Sequence, residues 1–379
     1  MPIPPGSTAR RGVAWIPAAA LLLALTACGA TPDRSKPAAS HAGSLASADT
    51  AFLDTLERRT FQWFWDLSDA RTGLTPDRWP TRSFVSVGAV GFALTAYPIG
   101  AERGWITREQ AAARVLATLR FFWSARQDST PRGVTGYRGF FYHFLVPETG
   151  ERFEDVELST IDTALMLAGT LFCQSYFDRH NAAEDSIRAV AEAIYARTDW
   201  RWAQPRPPSV SLGWSPRGGH LEWDWRGYNE AMILQILALG SPTHAVEPAI
   251  WPAWCSNYRW GTFQGQEYVG FAPLFGHEYS HVWIDFRGIQ DAYMREKGID
   301  YFENSRRAAL AQRAYAIANP SGYTGYGERL WGLSAEKDQN LGGILMNGEQ
   351  MIVFFAALSY FLMRLLSEEE EAQRALEGR

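Results

Sequence analysis

Apolar side chains recur at helical spacing in ten stretches of this chain: residues 50–67, 84–97, 107–127, 159–178, 183–197, 229–239, 246–254, 274–287, 301–319 and 344–366. Several stretches carry the residues that begin or end helices. Asp49-Thr50 precedes the first, Thr107-Arg108-Glu109 opens the third, Gly240 closes the sixth and Asn319-Pro320 closes the ninth. Strand-like alternation is sparse, so the pattern predicts an all-α chain. The connections come in two lengths. Long ones (68–83, 128–158, 198–228, 255–273 and 320–343) alternate with shorter ones (98–106, 179–182, 240–245 and 288–300). Alternate connections of an up-and-down helical array emerge at the same end, which places the long loops on one face.

Long loops inside a compact domain usually carry function. These hold Trp79, Trp202, Trp214, Trp223, Trp225, Trp260 and Trp331 beside the acids Glu154, Asp155, Glu157, Glu222 and Asp224. The whole chain is aromatic-rich, with 16 Trp, 15 Tyr and 21 Phe, while 46% hydrophobic and 20% charged residues exclude a disordered or collagen-like polymer. Lys and Arg number 36 against 41 Asp and Glu, so the basic excess that nucleic acid selects is missing and no nucleic-acid partner is expected. Indole faces among carboxylates suit sugars instead. Pyranose rings offer C–H faces for stacking and hydroxyls for charged acceptors, and paired carboxylates cleave glycosidic bonds. The plainer alternative is that the Trp-rich loops only cap helix ends.

The N-terminus reads as an address. Arg10 and Arg11 precede an apolar run over 13–25, the length of a secretory h-region. It ends in Leu25-Thr26-Ala27-Cys28, which resembles a bacterial lipobox, with Cys28 as the lipidated residue and Gly29 after it. The expected organisation is a signal peptide over 1–27, a flexible tether rich in Ala, Ser and Pro over 28–48, a helical catalytic domain over 49–366 and an acidic tail over 367–379. A periplasmic or outer-membrane, lipid-anchored monomer is expected. With Cys28 lipidated, Cys173 and Cys255 remain; Cys173 lies in an apolar run and reads as a buried free thiol.

Two segments concentrate the chemistry. The first runs from Gly139-Phe140-Phe141-Tyr142-His143-Phe144 to Glu157-Leu158-Ser159-Thr160-Ile161-Asp162-Thr163-Ala164. Ser159 and Asp162 fit a capping box, so Asp162 is either a cap or an acid, whereas Glu157 lies outside the box on the loop side. The second is Glu222-Trp223-Asp224-Trp225-Arg226-Gly227-Tyr228-Asn229-Glu230-Ala231. Glu230 falls in a first helical turn, where the dipole favours its anion; a general acid needs the opposite, a pKa raised by burial. A third segment, His277-Glu278-Tyr279-Ser280-His281, matches the H-E-x-x-H zinc motif. Pro273 and Gly276 leave little helix before it and no third ligand is specified, so the expectation is no metal and no cofactor, with His281 a hydrogen-bonding wall residue.

Phe61-Gln62-Trp63-Phe64-Trp65, the run from Glu157 to Leu165, Tyr228-Asn229-Glu230-Ala231 and His281-Val282-Trp283-Ile284-Asp285-Phe286-Arg287-Gly288 together resemble the bacterial glycoamylase-like family, over about residues 49–331. The resemblance implies an (α/α)6 toroid and an inverting glycoside hydrolase acting on β-1,2-glucan or sophoro-oligosaccharides. After the run from Gly325 to Leu333 the relatives carry a longer loop and further helices that close the ring. Here residues 334–379 read as one apolar helix and an acidic tail, so the expected ring is incomplete at its C-terminal end. The expected general acid is Glu230 and the expected base is Glu157, with Asp162 as its alternate. Trp223, Trp225, His281, Asp285 and Arg287 are the expected sugar-subsite residues. A non-catalytic glycan-binding lipoprotein would need the Trp residues but not the acids. A polysaccharide lyase and a zinc protease are further alternatives.

Overall fold

The computed structural model describes residues 47–81, 83–323 and 326–327. Its helices are α1 (Ser47–Leu67), α2 (Val87–Glu102), α3 (Arg108–Ser124), α4 (Thr160–Tyr176), α5 (Ala182–Ala196), α6 (Met232–Gly240), α7 (Ile250–Cys255), α8 (Phe275–Glu278), α9 (Ala292–Lys297) and α10 (Tyr301–Ala318). The chain divides into two units, Met1–Leu56 and Glu57–Arg379. Only the opening of α1 is described in the first. The signal peptide, the tether, Cys28 and the expected helix over 344–366 lie outside the described residues.

The start of α3 and the end of α10 fall where the sequence predicts: Thr107 caps α3 in a reciprocal box with Gln110, and Asn319 ends α10 in the left-handed region. Asn181, which the sequence reading passes over, caps α5. Four expectations shift, the first of them at the site itself: α6 opens at Met232 rather than at 229, so Glu230 lies in the turn before the helix and not in its first turn. The stretch over 274–287 is only α8 followed by a 3-10 turn (Tyr279–Val282). The stretch over 246–254 contracts to α7, and a short α9 occupies part of the 288–300 connection.

The described residues are helix-rich, as expected, but the all-α expectation misses short strands, none longer than four residues among the described residues. These are β1 (Val85–Ser86), β2 (Gly136–Tyr137), β3 (Phe140–Tyr142), β4 (Phe144–Leu145), β5 (Leu158–Ser159), β6 (Gly213–Ser215), β7 (Gly219–His220), β8 (Trp260–Phe263) and β9 (Gln266–Val269). Strands β2-β3-β5-β6-β7 form one antiparallel sheet, β1 pairs with β4, and β8 pairs with β9. The first two ladders are woven from the connections after α1, α3 and α5, so those three long loops do come together. Runs of two or three residues are too short to show a period, which is why the sequence pattern passes over them.

Burial separates the helices into two kinds. Helix α2 is buried on nearly every side, from Val87 through Gly100, and α6 buries Met232, Ile233, Leu234, Gln235, Leu237 and Ala238. Helices α3 and α5 bury one stripe each, such as Ile187, Ala191, Ile194 and Tyr195 on α5. Helices α2, α4 and α6 pack on one another in that order, and α3 and α5 pack on each other outside them. The α2–α4 crossing is backbone against backbone. A β-carbon on Gly91 would lie 2.2 Å from the Leu165 carbonyl oxygen, and one on Gly169 would lie 2.1 Å from that of Gly91, so only glycine fits either place.

Candidate active site

Two strand-to-helix turns meet here. Strand β1 runs into α2 through Ser86, and β5 runs into α4 through Ser159; each serine hydroxyl accepts a backbone N–H of its helix's first turn. His143, between β3 and β4, ties the two turns together. Its N–H donates to the Glu157 carbonyl (3.0 Å), and its carbonyl accepts the Val87 N–H (3.2 Å). Backbone pairing on both sides fixes the imidazole over the two helix starts.

The ring lies between carboxyls. Nδ1 is 2.8 Å from Glu157 Oε1 and Nε2 is 3.5 Å from Asp162 Oδ2. Asp162 is buried, accepts the Ser159 hydroxyl at 2.5 Å and accepts the Gly88 N–H. Ser159 caps α4, as the sequence pattern requires, but the Asp162 carboxyl turns to the Ser159 hydroxyl, Gly88 and His143. Burial alone would depress the His143 pKa; the Glu157 hydrogen bond and the charges of Asp162, Glu157 and Asp77 outweigh it and raise the ring above its ordinary value. Burial pushes the Glu157 carboxyl up, yet its bond to His143 and its own backbone N–H bring it below the usual carboxylate range. Asp162 is raised by burial and by Glu157, against the lowering effect of His143, Ser159 and Gly88.

Glu230 completes the group. Its carboxyl is half-buried, its Oε2 has no hydrogen-bond partner among the described residues, and burial together with the charge of Asp162 raises its pKa. Asp162 and Glu230 therefore share one low-dielectric site with opposite surroundings: three groups favour the Asp162 anion, while little but its own backbone N–H favours that of Glu230. Burial first, and then the charges of Glu230, Asp162 and Glu278, raise the pKa of the Tyr279 hydroxyl. Phe92 and Phe275 pack on Tyr279 with centroids 5.0 and 5.2 Å away, and Trp283 lies 5.3 Å from Phe92. His143 and Tyr279 escape a sequence reading; the one signal is a titratable side chain inside the apolar run from Phe140 to Leu145.

The expected subsite residues divide. Trp225 is half-buried beside the site, its indole N–H donating to Thr160 Oγ1 at 2.9 Å on the first turn of α4. Trp223 is 74% exposed, and its carbonyl accepts the Leu212 N–H. Asp285 and Arg287 pair with each other at 2.8 Å on the surface, and His281 bonds Ser305 of α10 at 2.9 Å. Among the described residues no contact carries these last three to the Asp162 group. Asp224 is held by Arg206, and Trp202 and Trp214 pack on each other at 5.7 Å and on Tyr137, so much of the loop aromatic content is packing. Because α8 gives way to the 3-10 turn at Tyr279, His277 and His281 do not share a helical face: His277 meets the Phe271 carbonyl at 3.2 Å and is held by burial at about 4. Among the described residues no group of three His, Cys, Asp or Glu side chains is gathered as for a metal ion.

The family described as "Glycoamylase: Putative glucoamylase" matches residues 222–344. An exo beta-1,2-glucooligosaccharide sophorohydrolase (non-reducing end) from Parabacteroides distasonis is 29% identical over 321 residues, covering 76% of this chain and 43% of that protein. The chain thus spans less than half the length of this curated relative. The crystal structure of a "putative glucoamylase" from Bacteroides fragilis superposes with a TM-score of 0.65 at 30% identity, covering 77% of this chain and 71% of that one. An endo-beta-1,2-glucanase from Chitinophaga pinensis, in complex with sophorotriose and glucose, gives a TM-score of 0.64 at 28% identity, covering 75% and 70%.

Proposed function

Since the chain belongs to the glycoamylase family, we propose that it is a glycoside hydrolase cleaving β-1,2-linked glucan or sophoro-oligosaccharides with inversion. The observation that carries the reading is the Asp162–Glu230 pair, one fully and one half-buried carboxyl, of which Glu230 feels the charge of Asp162 and which differ in what surrounds them. In an inverting cleavage one carboxyl gives its proton to the departing glycosidic oxygen while the other takes a proton from the water that attacks the anomeric carbon from the opposite face. Glu230, with an unpartnered oxygen, holds the proton and is the general acid. Asp162, supported by Ser159, Gly88 and His143, is the base. Glu157 acts one step back, holding His143. The aromatic wall of Phe92, Tyr279 and Phe275 gives the sugar its stacking face, with Trp225 flanking it.

Three points belong to the same proposal. Membership of the inner α2, α4, α6 series and the outer α3, α5 series in an (α/α)6-type toroid is consistent with the all-round burial of the former and the single stripe of the latter. The lipobox-like Leu25–Cys28 sequence supports a periplasmic or outer-membrane, lipid-anchored enzyme. The sugar partner follows from what the named relatives act on. Incubation with linear β-1,2-, β-1,3- and α-1,4-glucans tests the reading. New reducing ends from the β-1,2-linked polymer, first formed as the α-anomer, are expected; binding without new ends would make the protein a glycan-binding module, and an unsaturated product a lyase.

A further inference from the structure

A second feature of the loop face lies one layer from the carboxyls. The segment from Thr75 to Ser86 folds back on itself: Asp77 N–H donates to the Phe84 carbonyl at 3.0 Å, Ser86 N–H to the Thr75 carbonyl at 3.1 Å, and Pro76 bridges Val85. Trp79 stands on the turn of this hairpin with 61% of its surface exposed. Beside it opens a cleft of about 1020 Å³, with Phe84 and Phe153 among its apolar walls and Asp69, Arg71, Arg78 and Glu148 along its sides. A mixture of flat apolar surface with both donors and acceptors is what a ring bearing hydroxyls requires.

The cleft adjoins the acid group. Phe84 packs on Phe144 with centroids 3.9 Å apart, Phe144 stacks on His143 at 3.8 Å, and Asp77 contributes to the charge felt by the His143 ring. The same strand β1 that forms the cleft wall at Val85 leads into the first turn of α2, where Gly88 meets Asp162. A polymer seated at the carboxyls therefore has a neighbouring trough for the sugars beyond the cleaved bond. We propose that this cleft, with Trp79 as its stacking platform, is a distal binding site for glucosyl units of the β-1,2-linked substrate, so that affinity rises with chain length. This rests on the hydrolase reading above for the identity of the sugar, but not for the catalytic roles of the carboxyls.

The test is calorimetric titration with β-1,2-linked gluco-oligosaccharides of increasing length, in the Glu230→Gln protein to prevent turnover, with and without Trp79→Ala. Because Trp79 projects from the surface, its removal leaves the core intact, and Trp79→Phe keeps a flat ring. The expected result is a loss that grows with length to about tenfold in Kd for the longest oligosaccharide, largely restored by Trp79→Phe. An equal loss at every length, no loss at any length, or no binding by the parent protein overturns the proposal. Trp79-dependent binding in a protein that produces no new reducing ends would instead leave the cleft standing and reject hydrolysis.

Discussion

His143 Nε2 faces Asp162 Oδ2 across 3.5 Å while its other nitrogen is held by Glu157. The imidazole is thus oriented by one carboxyl and supplies positive charge to another that is buried. Its folded-state pKa is raised, so its stabilising effect is complete below its ordinary value of 6.5 and is lost as pH rises through the folded value. His143→Gln removes a group that lowers the Asp162 pKa. The acidic limb of the kcat/KM profile is therefore expected to move to higher pH, as measured across the full range. A uniform loss at every pH would give His143 a purely structural role.

Gly88 makes the second constraint on Asp162. A β-carbon there would fall 2.6 Å from Asp162 Oδ1 and 3.3 Å from the Leu165 side chain. Alanine is the better helix former by about 1 kcal/mol, so Gly88→Ala need not weaken α2, but it must displace the carboxyl. Small misplacements of this sort cost about 100-fold. Kinetic assay with thermal melting should show kcat/KM falling by that order while the melting temperature changes little. Unchanged kcat/KM would mean that Asp162 does no chemistry or tolerates the shift.

Far from the carboxyls, Arg108 and Glu184 anchor α3 to α5. The guanidinium donates to both Glu184 oxygens at 3.0 and 2.8 Å, also meets Asp178, and lies over the Tyr176 ring at 4.5 Å. The Arg108 bonds lead in holding the Glu184 carboxyl at about 2. Glu184→Gln leaves Arg108 with half a partner in a largely buried place and is expected to cost about 3 kcal/mol at neutral pH. A depressed carboxyl stabilises above its unfolded pKa and loses the effect as pH falls, here from about 4.5 to about 2. Urea denaturation should show the gap between the two proteins closing across that window; a gap independent of pH would contradict the linkage.

Legibility in the sequence followed the physics of each feature. Thr107, Gly240 and Asn319 mark helix ends through local chemistry, and local chemistry is visible in a linear string. Asp162 and Glu230 stand out as acids at helix starts, but their relation depends on burial and on partners from other segments. Gly88, His143 and Tyr279 each come from a different connection or helix, so no spacing rule links them. Phe84 and Val85 read as helical because their apolar character fits either state; pairing of Val85 with Leu145 decides for strand. Pairing across 60 residues leaves no local trace. The H-E-x-x-H spacing illustrates the reverse, since the motif presumes one helix and α8 ends at Glu278, with a 3-10 turn from Tyr279.

The central claim is that Glu230 and Asp162 act as acid and base on one β-1,2-glucosidic bond. It is tested most directly by the rate of reducing-end release from linear β-1,2-glucan by the wild-type, Glu230→Gln and Asp162→Asn proteins, each checked for its melting temperature. Both variants are expected to stay folded and to lose about 100-fold to 10,000-fold in kcat. Wild-type rates in either folded variant would contradict the account.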